Sequence, residues 1–198
     1  MVRLDRIYTG GGDRGETSLG DGARVAKHGV RIHAIGEVDE ANATIGLARA
    51  ALGQSAAPFD AALARVQNDL FDLGADLAVP GADAATDDDG KLRIQGAQAA
   101  RLESEIDGFN RDLAPLTSFV LPAGTEAAAR LHLARTVTRR AERAVAALAA
   151  AEKVNPCLLV FLNRLSDLLF VMARAANDGG AADVTWRPGG TRTGKTDA

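Results

Sequence analysis

The run from Thr125 to Asn155 contains neither glycine nor proline and is the longest such run in the chain. Strands average about 5–6 residues, so a run of this length has to be a long helix. On that helix Leu133, Val137, Ala141, Ala144 and Leu148 fall together as the apolar side. Another side carries Arg135 and Arg139 one turn apart, with Glu142 nearly above them and Arg143 beside the same stripe; Arg140 points away. Most charge-rich helix faces are solvated ladders of i,i+3 and i,i+4 ion pairs, and the stripe taken alone favours that reading. It is also a fork for a polyanion, because guanidinium grips phosphate bidentately and keeps its charge. The remaining sequence has to decide between the two.

Punctuation elsewhere predicts four more helices. The first is expected from about Arg31 to Leu52, with Ile35, Val38, Asn42, Ile45 and Leu52 inward. The second runs from Pro58 to about Val79 on a stripe of Leu63, Val66, Leu70, Leu73 and Leu77, and Pro80-Gly81 stops it. Gln67 and Asn68 on it need no function. The third covers about Gln95 to Leu113, with Leu102, Ile106 and Phe109 inward. Ser118–Thr125 is a short extended piece ending in a turn, where Thr125 caps the long fourth helix and Glu126 meets the positive end of its dipole. Pro156 opens the fifth, through about Asn177. There Asn163, Asp167, Phe170 and Arg174 share one face. Polar groups in so apolar a helix need partners, so Asn163 and Asp167 are expected to meet the arginines of the fourth helix.

Five helical patterns without a credible sheet give an all-α five-helix bundle. Its expected organisation is an N-terminal loop segment (1–30), a helical bundle domain (31–177) and a flexible C-terminal tail (178–198), with Trp186 as an anchor. The formal net charge of −3 argues against a nucleic-acid binder, which usually carries a basic excess. No apolar run reaches about 18 residues and no apolar segment follows the N-terminus, so neither a membrane span nor a secretory leader is expected. Cys157 is the only cysteine, which excludes an intrachain disulfide and a cysteine-based metal site and makes the cytoplasm the default compartment. Asp83, Asp87, Asp88 and Asp89 lack the spacing of a calcium loop, and no metal is assigned to protein side chains.

The N-terminal segment is dense in glycine and small hydroxyls from Thr9 to Gly22. Such a loop lets backbone N–H groups converge on phosphate, with Arg24 and Lys27 adding cationic reach. It is not a Walker A loop, since Gly-Lys-Ser/Thr is missing.

In combination these pieces resemble the PduO-type ATP:cob(I)alamin adenosyltransferases over nearly the whole chain. The resemblance is carried by the Thr9–Ser18 loop with Lys27, Gly36–Gly46 with Asp39, Gln67–Gly74, Phe119-Val120-Leu121-Pro122, Arg135–Arg143 and Asn163–Asp167. It implies a homotrimer with active sites at subunit interfaces, ATP lying between the loop of one subunit and the arginine helix of its neighbour. By resemblance, Thr9, Gly10, Gly11, Gly12, Thr17, Ser18, Lys27, Arg139, Arg140, Glu142, Arg143 and Asn163 would contact ATP. Asp39 and Arg135 match an intersubunit salt bridge, and Phe119 matches an aromatic residue that crowds the lower face of the corrinoid. Two departures stand out: Gly11 and Arg14 replace the family's usual Thr and Lys, and Ala123 replaces a glycine.

The activity so implied is transfer of the 5′-deoxyadenosyl group of ATP to the cobalt of cob(I)alamin, with Mg²⁺ as cofactor on the phosphates and triphosphate as leaving group. Cob(I)alamin is itself the nucleophile, so the absence of an evident catalytic triad fits. Arg139, Glu142 and Phe119 are the expected catalytic residues. A cob(II)alamin reductase and an adenosylcobalamin-dependent enzyme are the implied protein partners. The competing class is a non-catalytic ATP-binding helical module, regulatory or scaffolding. Phe119 beside an ATP constellation separates the two, because a sensor has no need of a corrinoid-crowding residue.

Overall fold

Helix-forming runs that can each bury one stripe end up side by side in a computed structural model that describes residues 7, 8, 10–52, 56–81 and 90–191. Two short strands, β1 (Glu16–Ser18) and β2 (Arg24–Ala26), precede α1 (Val30–Leu52), α2 (Ala57–Leu77), α3 (Gly96–Asn110), α4 (Glu126–Ala151) and α5 (Cys157–Ala175). α1 packs on α2 and α4, α4 on α5, and α5 on α3. Side chains close the ring between α2 and α3: Asp69 accepts from Gln98 (2.9 Å) and pairs with Arg101, and the rings of Phe59 and Phe109 stand 4.8 Å apart. The all-α five-helix bundle is therefore the architecture.

Leucines from four of the five helices and small alanines share the interior. Leu63, Leu102, Leu148 and Leu165 are fully buried, as are Ala41, Ala134 and Ala141, whose size lets α1 and α4 lie close. Truncating one such leucine to alanine costs about 2–5 kcal/mol. The Thr125 hydroxyl accepts from Ala128 N at 3.1 Å and caps α4 as its sequence position predicts.

Several expectations need correction. Leu133 is not part of the α4 core and is 49% exposed, whereas Leu131 is fully buried and His132 nearly so. The buried stripe runs through Leu131, Ala134, Thr138, Ala141, Val145 and Leu148, which leaves Val137 at its edge and Leu133 a further turn outside. Gln67 has a role after all. It donates to Asn42 O (3.2 Å), Asn42 donates back to Gln67 O (3.1 Å), and Arg49 donates to Gln67 Oε1 (2.7 Å), so α2 pairs the amide N–H of the polar interruption of α1, while Asn42 Oδ1 has no partner among the described residues. Within the N-terminal segment β1 and β2 form an antiparallel hairpin pairing Glu16 with Ala26 and Ser18 with Arg24. Gly20 docks it on the end of α2, donating to Ala78 O at 2.8 Å, and a Cβ there would stand 2.9 Å from Val79 Cγ2.

The tail expected to be flexible is fastened over residues 178–191. Arg174, nearly buried at the end of α5, donates to Asp183 Oδ2 (2.8 Å) and to Ala114 O (2.9 Å). Asn177 donates to Asp183 Oδ1 (3.2 Å) and accepts from Thr125 N (3.1 Å). A buried guanidinium needs a carboxylate, and Asp183 is the one that reaches it. Beyond this hub Val120 bridges Thr185, Leu121 N donates to Val184 O and Trp186 N to Phe119 O, both at 2.8 Å. Residues 192–198, Thr9 and the acidic run Asp83–Asp89 lie outside the described residues. Among those described, no helix is long and apolar enough to cross a membrane.

Candidate functional site

The middle of α4 carries two arginine environments. Arg139 is half exposed, and its nearest carboxylate oxygen is Glu142 Oε2 at 3.9 Å, one turn on. Glu142 Oε1 accepts from Asn163 Nδ2 of α5 at 3.0 Å, so α4 and α5 meet at the arginine stripe as the sequence predicts. The partner of Asn163 is the stripe's anion, however, and not its arginines, while Asp167 faces outward and is exposed. A neutral amide gains more from an N–H on a half-buried carboxylate than from sharing an already paired guanidinium. Arg143 folds back to donate to Arg139 O at 3.1 Å. Arg140 turns to α1, where Glu37 (2.5 Å) and Glu40 hold it and push its pKa further up. The structure thus groups Arg139, Glu142, Arg143 and Asn163, and sets Arg140 apart as a brace between α1 and α4.

One turn before Arg139 lies a cleft of about 480 Å³ lined by Leu116–Val120, Arg135 and Phe170. Phe119 is 76% exposed and leans on Trp186, ring centroids 6.0 Å apart. Its backbone is held in place by the tail pairing and by Ser118, whose hydroxyl donates to Trp186 O at 2.7 Å. The turn behind it depends on Gly124: φ is +104°, and a Cβ would sit 2.2 Å from Asn177 Oδ1. Phe170 stacks edgewise on His132, 6.1 Å between centroids. Burial lowers the pKa of Arg135, with a smaller contribution from Arg139, and its Nε has no hydrogen-bond partner among the described residues.

Asp39 lies on the other side of α1 in a groove of about 440 Å³ shared with Ile32, Ile35, Phe71 and Gly74. It makes no ion pair among the described residues. Within one chain Asp39 and Arg135 occupy separate grooves and do not meet.

The N-terminal loop is built around two cations. Lys27 N donates to Gly15 O (2.8 Å), and its ammonium sits so close over Gly12 that a Cβ there would be 2.9 Å from Nζ. Gly12 thus lies under the mobile end of a long side chain, and Gly10 takes φ +70°. Arg24 does not extend its charge outward as the sequence suggested: it donates to Gly11 O (2.8 Å) and Ser18 Oγ (3.1 Å) and lies 3.5 Å from Glu16. It braces the loop from within, and no periodic signal in the sequence would have revealed that. Thr17 is half buried, and Ser18 and Lys27 are exposed. No hydrogen bond or ion pair joins residues 10–27 to the α4 arginines among the described residues. Nor does any group of three or more His, Cys, Asp and Glu there stand where it could hold a metal ion.

The chain as a whole has known relatives. The cobalamin adenosyltransferase family matches residues 7–176. The chain is 47% identical to a cobalamin adenosyltransferase of Cupriavidus metallidurans over 93% of its own length and 96% of the relative's. It is 49% identical to a corrinoid adenosyltransferase of Mycobacterium tuberculosis, covering 97% and 98%. A variant of the PduO-type ATP:corrinoid adenosyltransferase from Lactobacillus reuteri, complexed with cobalamin and ATP, superposes with a TM-score of 0.83 at 35% identity, over 92% of this chain and 97% of that one.

Proposed function

This chain belongs to the cobalamin adenosyltransferase family, and from that premise we propose how its two grooves and its loop divide the work. It is an ATP:corrinoid adenosyltransferase: it transfers the 5′-deoxyadenosyl group of ATP to the cobalt of cob(I)alamin, giving adenosylcobalamin and triphosphate. The cobalt electron pair attacks the ribose C5′, the C5′–O bond breaks, and its electrons leave with triphosphate. The corrinoid supplies the nucleophile, so the protein has to position, neutralise charge and exclude water. Arg139 and Arg143 face the triphosphate on this reading, Glu142 and Asn163 fix the fork, and Gly10–Gly12, Thr17, Ser18 and Lys27 cradle the phosphates from the other side. Mg²⁺ entering with the nucleotide would add charge neutralisation at the triphosphate, with no residue of this chain assigned to hold it. Glu142, the carboxylate within the cluster, is already committed to Asn163 and Arg139.

The observation that carries the reading is Phe119. An aromatic ring left three-quarters in solvent adds nothing to the core, yet a pinned strand holds it over a cleft whose far wall is Arg135, one turn from Arg139. It fits a ring that keeps a lower axial ligand away from cobalt, easing reduction of the Co(II) precursor. A cob(II)alamin reductase and an adenosylcobalamin-dependent enzyme are then the partners upstream and downstream, in the reducing cytoplasm that the lone Cys157 tolerates.

Among the described residues no hydrogen bond or ion pair joins the loop to the arginines, which supports a site completed by a second copy. We infer a homotrimer in which Asp39 of one subunit pairs with Arg135 of the next. Protein mixed with ATP, Mg²⁺ and chemically reduced cobalamin should form a light-sensitive adenosylcobalamin spectrum; no product would overturn the reading. For assembly, Asp39→Arg and Arg135→Asp should each lower the sedimenting mass and the double swap should restore it. Trimers of unchanged stability in both single variants would refute the pairing.

A further inference from the structure

Asn163 is gripped by two neighbours that can each act in only one way. The Glu142 carboxylate only accepts hydrogen bonds, and the Arg164 guanidinium only donates them. The amide therefore has a single satisfactory orientation, with Nδ2 toward Glu142 Oε1 at 3.0 Å and Oδ1 toward Arg164 Nη1 at 2.7 Å. Arg164 is aimed in turn from α3, where its Nε donates to Glu103 Oε1 at 2.6 Å. The line Glu103–Arg164–Asn163–Glu142–Arg139 thus crosses three helices and ends on the half-exposed guanidinium of the phosphate fork.

We propose that Arg164 and Glu103 are positioning residues for ATP: they lock the Asn163 amide, and through Glu142 they set the place of Arg139. The proposal rests on the assignment of Arg139, Glu142 and Asn163 to the ATP pocket. Two of the four hydrogen-bonding valences of the Asn163 amide are used by its neighbours, which leaves one N–H and one lone pair. A nucleotide hydroxyl can satisfy both at once, but only while the amide keeps this orientation. With Arg164 gone Oδ1 loses the donor that holds it, and only the hydrogen bond to Glu142 still positions the amide. Amide and carboxylate can then swing together, and neither Asn163 nor Arg139 is held in place for the nucleotide. The Arg164–Glu103 pair is largely exposed, and pairs of that kind contribute little to folding, so its geometry is better explained by what it orients.

Arg164→Met removes the donor and keeps the stem. It should raise both the KM and the equilibrium Kd for ATP about 10-fold, the order expected for a lost hydrogen bond from a charged donor. The KM for corrinoid and the unfolding midpoint should stay as they are. Arg164→Lys, a point donor without the fork, should recover part of the loss, and Glu103→Gln should cost about 3-fold as an exposed pair partner. The decisive measurement is Arg164→Met in an Asn163→Ala background, or Asn163→Ser where the alanine variant does not fold. If Arg164 acts through Asn163, it adds no further loss there. An undiminished 10-fold effect in that background overturns the relay. Wild-type ATP affinity in Arg164→Met beside a weakened Asn163→Ala also overturns it, while leaving the ATP pocket intact. Wild-type affinity in Asn163→Ala itself overturns the pocket assignment and the relay together.

Discussion

Replacing Arg139 with alanine should separate activity from folding more cleanly than any other change in this chain. On the folding side, the guanidinium is half exposed and its one acidic neighbour is Glu142, 3.9 Å away with the arginine on the N-terminal side. An i,i+3 pair of that order on a helix surface is worth at most about 0.5 kcal/mol, and alanine returns a few tenths through helix propensity. Glu142 keeps its hydrogen bond from Asn163, so no buried charge is stranded. The unfolding midpoint should therefore move by less than about 2 °C in a chain of this size. On the catalytic side, a preorganised donor on charge developing at a leaving group contributes about 10²–10³ in kcat, close to 3–4 kcal/mol. Arg139→Ala should thus lose at least about 100-fold in kcat, and Arg139→Lys, which keeps charge without the fork, should fall between. The assay is the initial rate of adenosylcobalamin formation at saturating ATP, run beside thermal unfolding of the same samples. A loss below about 5-fold would remove Arg139 from the triphosphate, since even one ordinary hydrogen bond is worth that much. The neighbouring Arg140, held by Glu37 and Glu40, should behave oppositely: Arg140→Ala lowers the midpoint more than Arg139→Ala and costs less activity.

Three further outcomes follow from the geometry. Gly124→Ala should destabilise by about 3 kcal/mol in urea unfolding, combining positive-φ strain with disruption of the Asn177 hydrogen bonds; a loss under about 1 kcal/mol would mean the turn relaxes freely. Phe119→Ala should leave unfolding unchanged and bind corrinoid, yet adenosylate slowly when the corrinoid is supplied as Co(II) under reduction; an unaltered rate would exclude the crowding role. Burial, seconded by the charge of Arg135 and opposed by Asp183, holds the His132 pKa below its ordinary 6.5. The unfolded chain then binds the extra proton first, so stability falls as pH drops below about 6.5 and is recovered above it. His132→Gln should flatten that dependence, and an unchanged acid slope would show that other groups set it.

The helices were legible because their signals are long and local. Runs of Ala and Leu between Pro58, Pro80, Gly124 and Pro156 leave few alternatives, and the Thr125 cap is a contact three residues long. The hairpin and the tail were not legible. Strands of three residues have no period to read, and Asp183 finds Arg174 only because α5 ends where the 114–125 connector passes. Within the site, spacing placed Asn163 against the arginine stripe but not on Glu142, since helical periodicity gives a face and not a partner. It also read Arg24 as reach when its hydrogen bonds turn inward to Gly11 and Ser18. The role of Phe119 came from resemblance alone; no periodic pattern distinguishes an exposed phenylalanine with a function from one without.

Arg135 and Asp39 are the physical argument for the proposed division of the site between copies. Arg135 has lost water to the cleft without gaining a partner for its Nε, and leaving a guanidinium in that state is unfavourable. Asp39, in a separate groove between α1 and α2, has no ion pair among the described residues and lies beside Phe71, which is 71% exposed. Within one chain the two line different grooves and do not meet. A second copy would join them on the proposed Asp39–Arg135 pairing, and the same contact would bring the glycine loop of one subunit toward the arginine fork of the next. The desolvation that makes Arg135 costly in isolation makes its pairing strong once Asp39 arrives, since both charges then interact away from bulk water. Assembly and completion of the active site are on this argument one event, and an arginine poised without a partner in the free chain is what links them.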